Sequence, residues 1–584
     1  MSGRKRFVLS VMTVAGLLTL GVVVAPTASA SVERDETPVR SGSPVSTVVE
    51  TVVRVKIPLP ASAGARPAAC DWLSYLRYRH RDGPAESSAA DKILVAQPGV
   101  LEGAGAFDAV ARNTIVSAAA QGRHIEFWAL DRRSNCLEDN RGVQAALAAR
   151  NAKVAVDYYY RGTPVSGQRF AGYLGNDQVE FLQHVGLEQT VRDQFDLLVA
   201  ELPEQRLRKQ KVVCGGHSLG GILTAFFASW DFDGDAGTRA DAGFNQCSGY
   251  FALDSQISTS LPDIAGSAQM MPAGMMPDPG LSFALVQAGL RTGVIPRALS
   301  APAVINAETM NVLTLAGLAA LVAPRAQSTL VDDLGENANL DTTMRLLLSK
   351  NLLTFLTGSP SAGDFRLTNE AALGALLDDN SQPLAFLQTS VGFFAGGKVA
   401  DKEFPLPRNV STIPVISGLA AMFGREARAI PDQPDGPLYA WRNYNGFRAG
   451  DGPVPNAADG TPFTTAGKEV TDIQQLARSM GEQPLDFTED YFPTKIVTDI
   501  SQSGADEIAR NAVHRDGITA NPTITLVAGD GLRGPDAPPA PFGFTVVAPG
   551  YQHLDVLTAD RVQNNGRPEP VSTALATFVV TGRP

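Results

Sequence analysis

One stretch of this chain has the residue types and spacing to form a covalent intermediate. Residues 211–221 read Lys-Val-Val-Cys-Gly-Gly-His-Ser-Leu-Gly-Gly, a short apolar run ending in Gly216-His217-Ser218-Leu219-Gly220. An apolar helical pattern, residues 222–228, follows at once. A serine between a strand and a helix sits on a turn so sharp that residues two away on either side must be small, as Gly216 and Gly220 are. The turn lifts the hydroxyl above the strand ends, and the helix aims its first amides at charge developing there. The chemistry such a serine serves is nucleophilic attack on an acyl carbon.

A serine hydroxyl needs a base, and the base needs an orienting acid. In this topology the chain order is serine, acid, histidine. Of the six histidines only His514 and His553 follow Ser218. His553 lies directly past the strand pattern 544–547, whereas His514 sits in a polar stretch and reads as solvated. The acid is read as Asp530, in the turn Ala528-Gly529-Asp530-Gly531 that ends strand 523–527, 23 residues before His553. Asp254, ending strand 249–253, is the alternative. An oxyanion site needs two backbone N–H groups. Leu219 supplies one, and Val100, with Leu101 next, supplies the other from the turn Pro98-Gly99-Val100.

The elements that must hold these residues alternate between strand and helix. Strand patterns at 92–96, 124–130, 212–215 and 249–253 interleave with helical patterns at 106–120, 176–202 and 219–228. Residues 48–59 read as an edge strand. This rhythm predicts an α/β fold, a mostly parallel sheet with helices on both faces. It stops after Asp254 and resumes at Thr523, so residues 255–520 read as an insertion leaving and rejoining at the strand C-terminal edge, where ligands bind in open α/β folds.

The elbow 216–220, the Pro98-Gly99 loop, Asp131 ending the strand before the long helix, Asp530 and His553 stand in one order along the chain. In that order the chain resembles the α/β-hydrolase family. The resemblance spans residues 46–254 and 521–584 and leaves out 255–520, which is similar to a large, mainly helical cap or lid. It departs from many members in having Pro98-Gly99 where they have His-Gly. It implies hydrolysis of esters, amides and related bonds; a serine rather than an aspartate at the elbow argues against dehalogenation. The expectation is a secreted carboxylic ester hydrolase acting through an acyl-enzyme on Ser218, with a small-molecule or lipid-like ester as substrate and no cofactor. Two alternatives stand beside it: an exported aminopeptidase-like enzyme, and a secreted binding protein that kept the fold without the chemistry.

The remaining signals bound the setting. Arg4-Lys5-Arg6, the apolar stretch 7–24 and Ala28-Ser29-Ala30 have the parts of a signal peptide, residues 1–30, with an uncleaved anchor as the alternative. Its removal takes the net charge from −11 to −14. An acidic protein has no general attraction to nucleic acid or anionic membrane, and no stable membrane insertion is expected after cleavage. Residues 31–45 are polar and read as a disordered leader. Four cysteines allow three full pairings; Cys70 with Cys136 is the preferred bridge, and Cys214 is read as a buried thiol. Asp231, Asp233 and Asp235 alternate as in a structural calcium loop, against which a solvated acidic loop is the plainer reading. Met270, Met271, Met275, Met276, Phe393 and Phe394 are candidates for an acyl pocket, or for the core of the insertion.

Overall fold

The computed structural model describes residues 1, 32–260, 281–301, 305–335, 337–406, 427–447, 453–533 and 540–584. The expected signal peptide and the methionine cluster at 270–276 lie outside these.

Nine strands form one sheet: β1 (Arg34–Pro38), β2 (Val48–Lys56), β3 (Trp72–His80), β4 (Ile93–Gln97), β5 (Glu126–Leu130), β6 (Val212–His217), β7 (Gly249–Leu253), β12 (Thr523–Ala528) and β13 (Phe544–Ala548). Their order is β1-β2-β3-β5-β4-β6-β7-β12-β13. From β5 to β13 every pairing is parallel, while β1, β2 and β3 join antiparallel. Every residue of β4, β5, β6, β7 and β12 is buried, because helices cover both faces of the sheet. Helices α1 (Asp108–Ala120), α2 (Leu187–Glu201), α3 (Leu219–Ser229) and α7 (Pro570–Thr581) belong to this layer. Helices α4 (Ala307–Val322), α5 (Asn369–Leu377) and α6 (Ile473–Gly481) lie in the stretch between β7 and β12.

Three expectations are corrected here. Residues 34–38 are not a disordered leader but strand β1, paired with β2 from Arg34↔Val55 to Pro38↔Thr51. Its polar side chains suit an outer strand: Arg34 meets Glu201, and Glu36 meets Arg77. Composition misled because backbone pairing asks no apolar side chain of an edge. Cys214 is not a free thiol; it is bonded to Cys247, Cα to Cα 5.8 Å, beside the expected Cys70–Cys136 bridge. Burial of a cysteine does not decide whether a second one lies in reach, and here the turn entering β7 brings Cys247 to β6. His514, finally, is buried rather than solvated, edge-on to Phe244 and with its N–H bonded to Ser229.

Strands β7 and β12 are neighbours although the insertion separates them in sequence, and no described residue of 255–520 joins the main sheet. The insertion has small sheets of its own, β8 (Gly392–Ala395) with β11 (Ala440–Asn443), and β9 (Val399–Asp401) with β10 (Ala429–Pro431). It grips two loops of the main sheet. Glu489 N–H donates to Leu101 at 2.9 Å, and Leu554 N–H donates to Gln388 at 3.0 Å. Phe393 and Phe394 are buried in an aromatic group with Phe463, Tyr439 and Trp441, so they build the insertion's own core rather than an acyl pocket.

Candidate active site

Ser218 stands between β6 and α3 at φ 52°, ψ −119°. A positive φ in a serine is strained, and surrounding packing must enforce it. The two flanking glycines are required by contact: a Cβ on Gly216 would lie 2.3 Å from the Gln97 carbonyl oxygen, and one on Gly220 2.0 Å from the same atom. Strain gathers around this turn. Of six described non-glycine residues at positive φ, three are Ser218, Leu101 and Asp254, and all three lie at strand ends of the same sheet edge.

His553 has a carboxylate partner, though not the expected one. His553 Nδ1 lies 2.6 Å from Asp254 Oδ2, and both side chains are buried. The carboxylate on His553 is therefore Asp254, at the end of β7, and not Asp530. The turn after β12 wraps over Asp254 and feeds it amides: Ala528 N–H at 3.1 Å and Leu532 N–H at 3.3 Å. Gly531 makes that approach possible, since a Cβ there would lie 2.6 Å from Asp254 Oδ2. Asp530 is carried by the same turn, but its side chain faces outward to Lys468 at 3.9 Å and is partly exposed.

Sequence reasoning missed a second histidine pair. His217, the residue before the serine, has Nδ1 2.8 Å from Glu102 Oε1 and Nε2 3.0 Å from the His553 carbonyl. The two imidazole rings are 4.4 Å apart. Burial alone would raise the Glu102 carboxyl, but His217 and the Gly99 N–H hold it below its usual range. Burial alone would likewise lower His217, and Glu102 overcomes this to raise it. Burial, and then the neighbouring His217, push His553 below the ordinary imidazole value against the pull of Asp254. A glutamate five residues past a strand is not a signal that sequence alone can raise.

The loop after β4 is held from both sides. Arg132, buried beyond the end of β5, donates to the carbonyls of Pro98 at 2.5 Å and Gly99 at 2.6 Å. Across a trans peptide C=O and N–H point opposite ways. The Gly99 N–H accordingly turns to Glu102 at 2.6 Å, and the Val100 N–H is directed away from Arg132. The loop passes against the serine: a Cβ on Gly99 would lie 3.0 Å from Ser218 Cβ. Arg132 is paired in turn with Glu489 of the insertion at 2.5 Å.

This is an α/β-hydrolase fold. The parallel strands, the strained serine between β6 and α3, and the histidine after the last strand carry that statement. Among solved structures the chain is similar to the peroxisomal α/β-hydrolase Lpx1 of Saccharomyces cerevisiae, at 10% identity and a TM-score of 0.26, over 94% of this chain and 89% of that one. So loose a likeness carries no argument about function. No protein-family model matches the sequence, and no curated relative does.

The acidic loop after α3 differs from its expected form. Asp231, Asp233 and Asp241 bring their carboxylates together, while Asp235 caps its own turn through the N–H of Gly237 at 2.9 Å. The group lies at the C-terminal end of α3, the end remote from Ser218.

Proposed function

We propose that the chain is a secreted serine hydrolase that cleaves carboxylic esters through an acyl-enzyme on Ser218. The observation that carries this reading is the Asp254–His553 pair, joined to the serine's own strand by the His217–His553 hydrogen bond. With Nδ1–H donated to Asp254, the other ring nitrogen of His553 has its lone pair free to take the Ser218 proton. The serine oxygen then bonds to the acyl carbon, and His553 returns the proton to the leaving alkoxide. Leu219 and Val100 N–H groups receive the oxyanion, the second held in place by Arg132. Water repeats the sequence on the acyl-enzyme, releasing the acid and restoring Ser218.

The ester reading is favoured over the aminopeptidase-like one by the state of the insertion's carboxylates. Glu489 is committed to Arg132 and Ser134. Asp490 is pushed far up by burial and then by Asp486, which disfavours the charged form that a substrate ammonium needs. Export is supported by two disulfides. No described helix is long and apolar enough to cross a membrane.

The test is covalent labelling. A fluorophosphonate should modify the protein once, at Ser218, and Ser218→Ala should lose the label while staying folded by circular dichroism. Labelling that persists in Ser218→Ala would overturn the assignment. Hydrolysis of graded p-nitrophenyl esters beside aminoacyl p-nitroanilides then separates esterase from peptidase, and inertness toward both, in a protein that does not label, leaves the binding-protein reading.

A further inference from the structure

His217 ends β6, one residue before Ser218, and its ring is buried 4.4 Å from that of His553. The proton transfers described above use His553 alone. Each nitrogen of the His217 ring nevertheless has an oxygen within reach: Glu102 Oε1 lies 2.8 Å from Nδ1, and the His553 carbonyl lies 3.0 Å from Nε2. A backbone carbonyl and an ionised carboxylate can only accept hydrogen bonds. A neutral imidazole carries one N–H and an imidazolium carries two. With Glu102 ionised, both bonds form together only if the ring is doubly protonated.

The competing arrangement puts the shared proton on Glu102, which would then donate to Nδ1. Against it stands the other carboxylate oxygen, Glu102 Oε2, which accepts the Gly99 N–H at 2.6 Å. An amide donated to a carboxyl group favours its charged form. Burial works against charge on both groups, yet Glu102 stands below its usual range and His217 above, because each faces the other. A buried ion pair with its hydrogen bonds made is one that a protein interior tolerates.

We infer that His217 is a positioning residue held as an imidazolium by Glu102, latching the His553 backbone to the end of β6 and keeping a positive charge against the His553 ring. This rests on the reading of Ser218 as nucleophile and His553 as its base. A positive neighbour disfavours a second positive charge. His553 is thereby kept unprotonated and able to take the Ser218 proton, and once protonated it is a stronger acid toward the leaving alkoxide. The titratable groups facing His553 are His217 from β6, Asp254 from β7 and Glu102 from the loop after β4, and His217 is the cation among these three. Nearby, Asp379 of the insertion meets Gln552, and Asp555 turns to Ser390. Glu102 serves two loops at once, since its second oxygen holds Gly99 beside the expected oxyanion donor Val100.

The experiment uses the full chain with ¹⁵N in its six histidines. The His217 signals are assigned by their loss in His217→Gln, and at neutral pH both of its ring nitrogens should resonate as protonated. The second readout is the pH dependence of kcat/KM on a p-nitrophenyl ester. In His217→Gln, which keeps a donor but no charge, the midpoint should rise by about one pH unit. The rate should then fall about tenfold on the acid side of both midpoints and little on the alkaline side. Loss of packing alone would lower the rate at every pH and leave the midpoint in place. If His217→Gln fails to fold, Glu102→Gln replaces it: one His217 nitrogen should lose its proton, and the midpoint should rise likewise. The proposal is overturned if wild type shows an unprotonated His217 nitrogen, or if the midpoint of a folded variant stays or falls. Either result leaves Ser218-dependent fluorophosphonate labelling intact, which separates it from failure of the hydrolase reading; labelling that survives Ser218→Ala overturns both.

Discussion

Asp254 and Asp530 end neighbouring parallel strands, and only one of them meets His553. Asp254→Asn should lower turnover on the order of 10⁴-fold, as loss of the orienting carboxylate leaves the imidazole in the wrong tautomer. Asp530→Asn should stay near wild type, because its carboxylate is partly exposed and faces Lys468. Steady-state kinetics on one ester decides between them, and the reverse ranking would move the acid back to Asp530. The pH profile belongs to the same pair. Burial and then His217 lower His553, so it stays neutral and able to accept a proton at pH values where a free imidazole is half charged. The rate should therefore rise with pH through a midpoint below the ordinary ~6.5. A midpoint above that value would mean that Asp254 outweighs burial.

At the scale of elements, the serine turn depends on close contact between β4, β6 and α3. The Gln97 carbonyl at the end of β4 is what both Gly216 and Gly220 approach. Gly220→Ala would press a methyl group to within 2.0 Å of that oxygen, too close to accommodate without moving the helix or the strand. Its cost should reach or exceed the ~1–3 kcal/mol usual for overpacking, read as a lower midpoint in urea denaturation. Fluorophosphonate reactivity should fall with it, because the displaced backbone is the one that strains Ser218. Gly237→Ala is the control: a Cβ there meets the Asp235 carboxylate at 3.1 Å, far from the serine, and should change stability and labelling little.

Over the whole molecule, buried carboxylates dominate the dependence of stability on pH. Burial pushes Asp131 up to about 7 and raises Asp378, Asp486, Glu138 and Asp490 as well. The unfolded chain releases these protons near pH 4, while the folded protein keeps them toward neutrality. Between those limits the native state binds more protons, so stability is fullest below about pH 4 for these groups and falls as pH rises through about 7. Asp108 opposes this: burial would raise it, but Arg478 and Arg112 hold it down at about 2, so its share is lost only on strong acidification. The Tm should thus be several degrees higher at pH 5.5 than at pH 8, by differential scanning calorimetry. A Tm that climbs over that interval would show that the buried acids are ionised and compensated.

The local features were legible in the sequence because each depends on few residues. An apolar run, a glycine-flanked serine and an apolar helix are enough to specify a strand, a strained turn and a helix. The return of the strand rhythm at Thr523 is enough to mark residues 255–520 as an interruption. His553 was legible too, as the histidine that follows the last strand. What the sequence did not determine was choice among alternatives of the same local kind. Asp254 and Asp530 both end strands, and which one meets His553 depends on the turn after β12 folding over Asp254. Cys214 and Cys247 meet because β6 and β7 lie side by side, a fact of sheet order. Glu102, Arg132 and Glu489 are invisible as a set until the insertion packs against the 98–105 loop. The same holds for Asp378, Asp379 and Glu469, since nothing along the chain shows that charges so far apart in sequence will share one dry pocket.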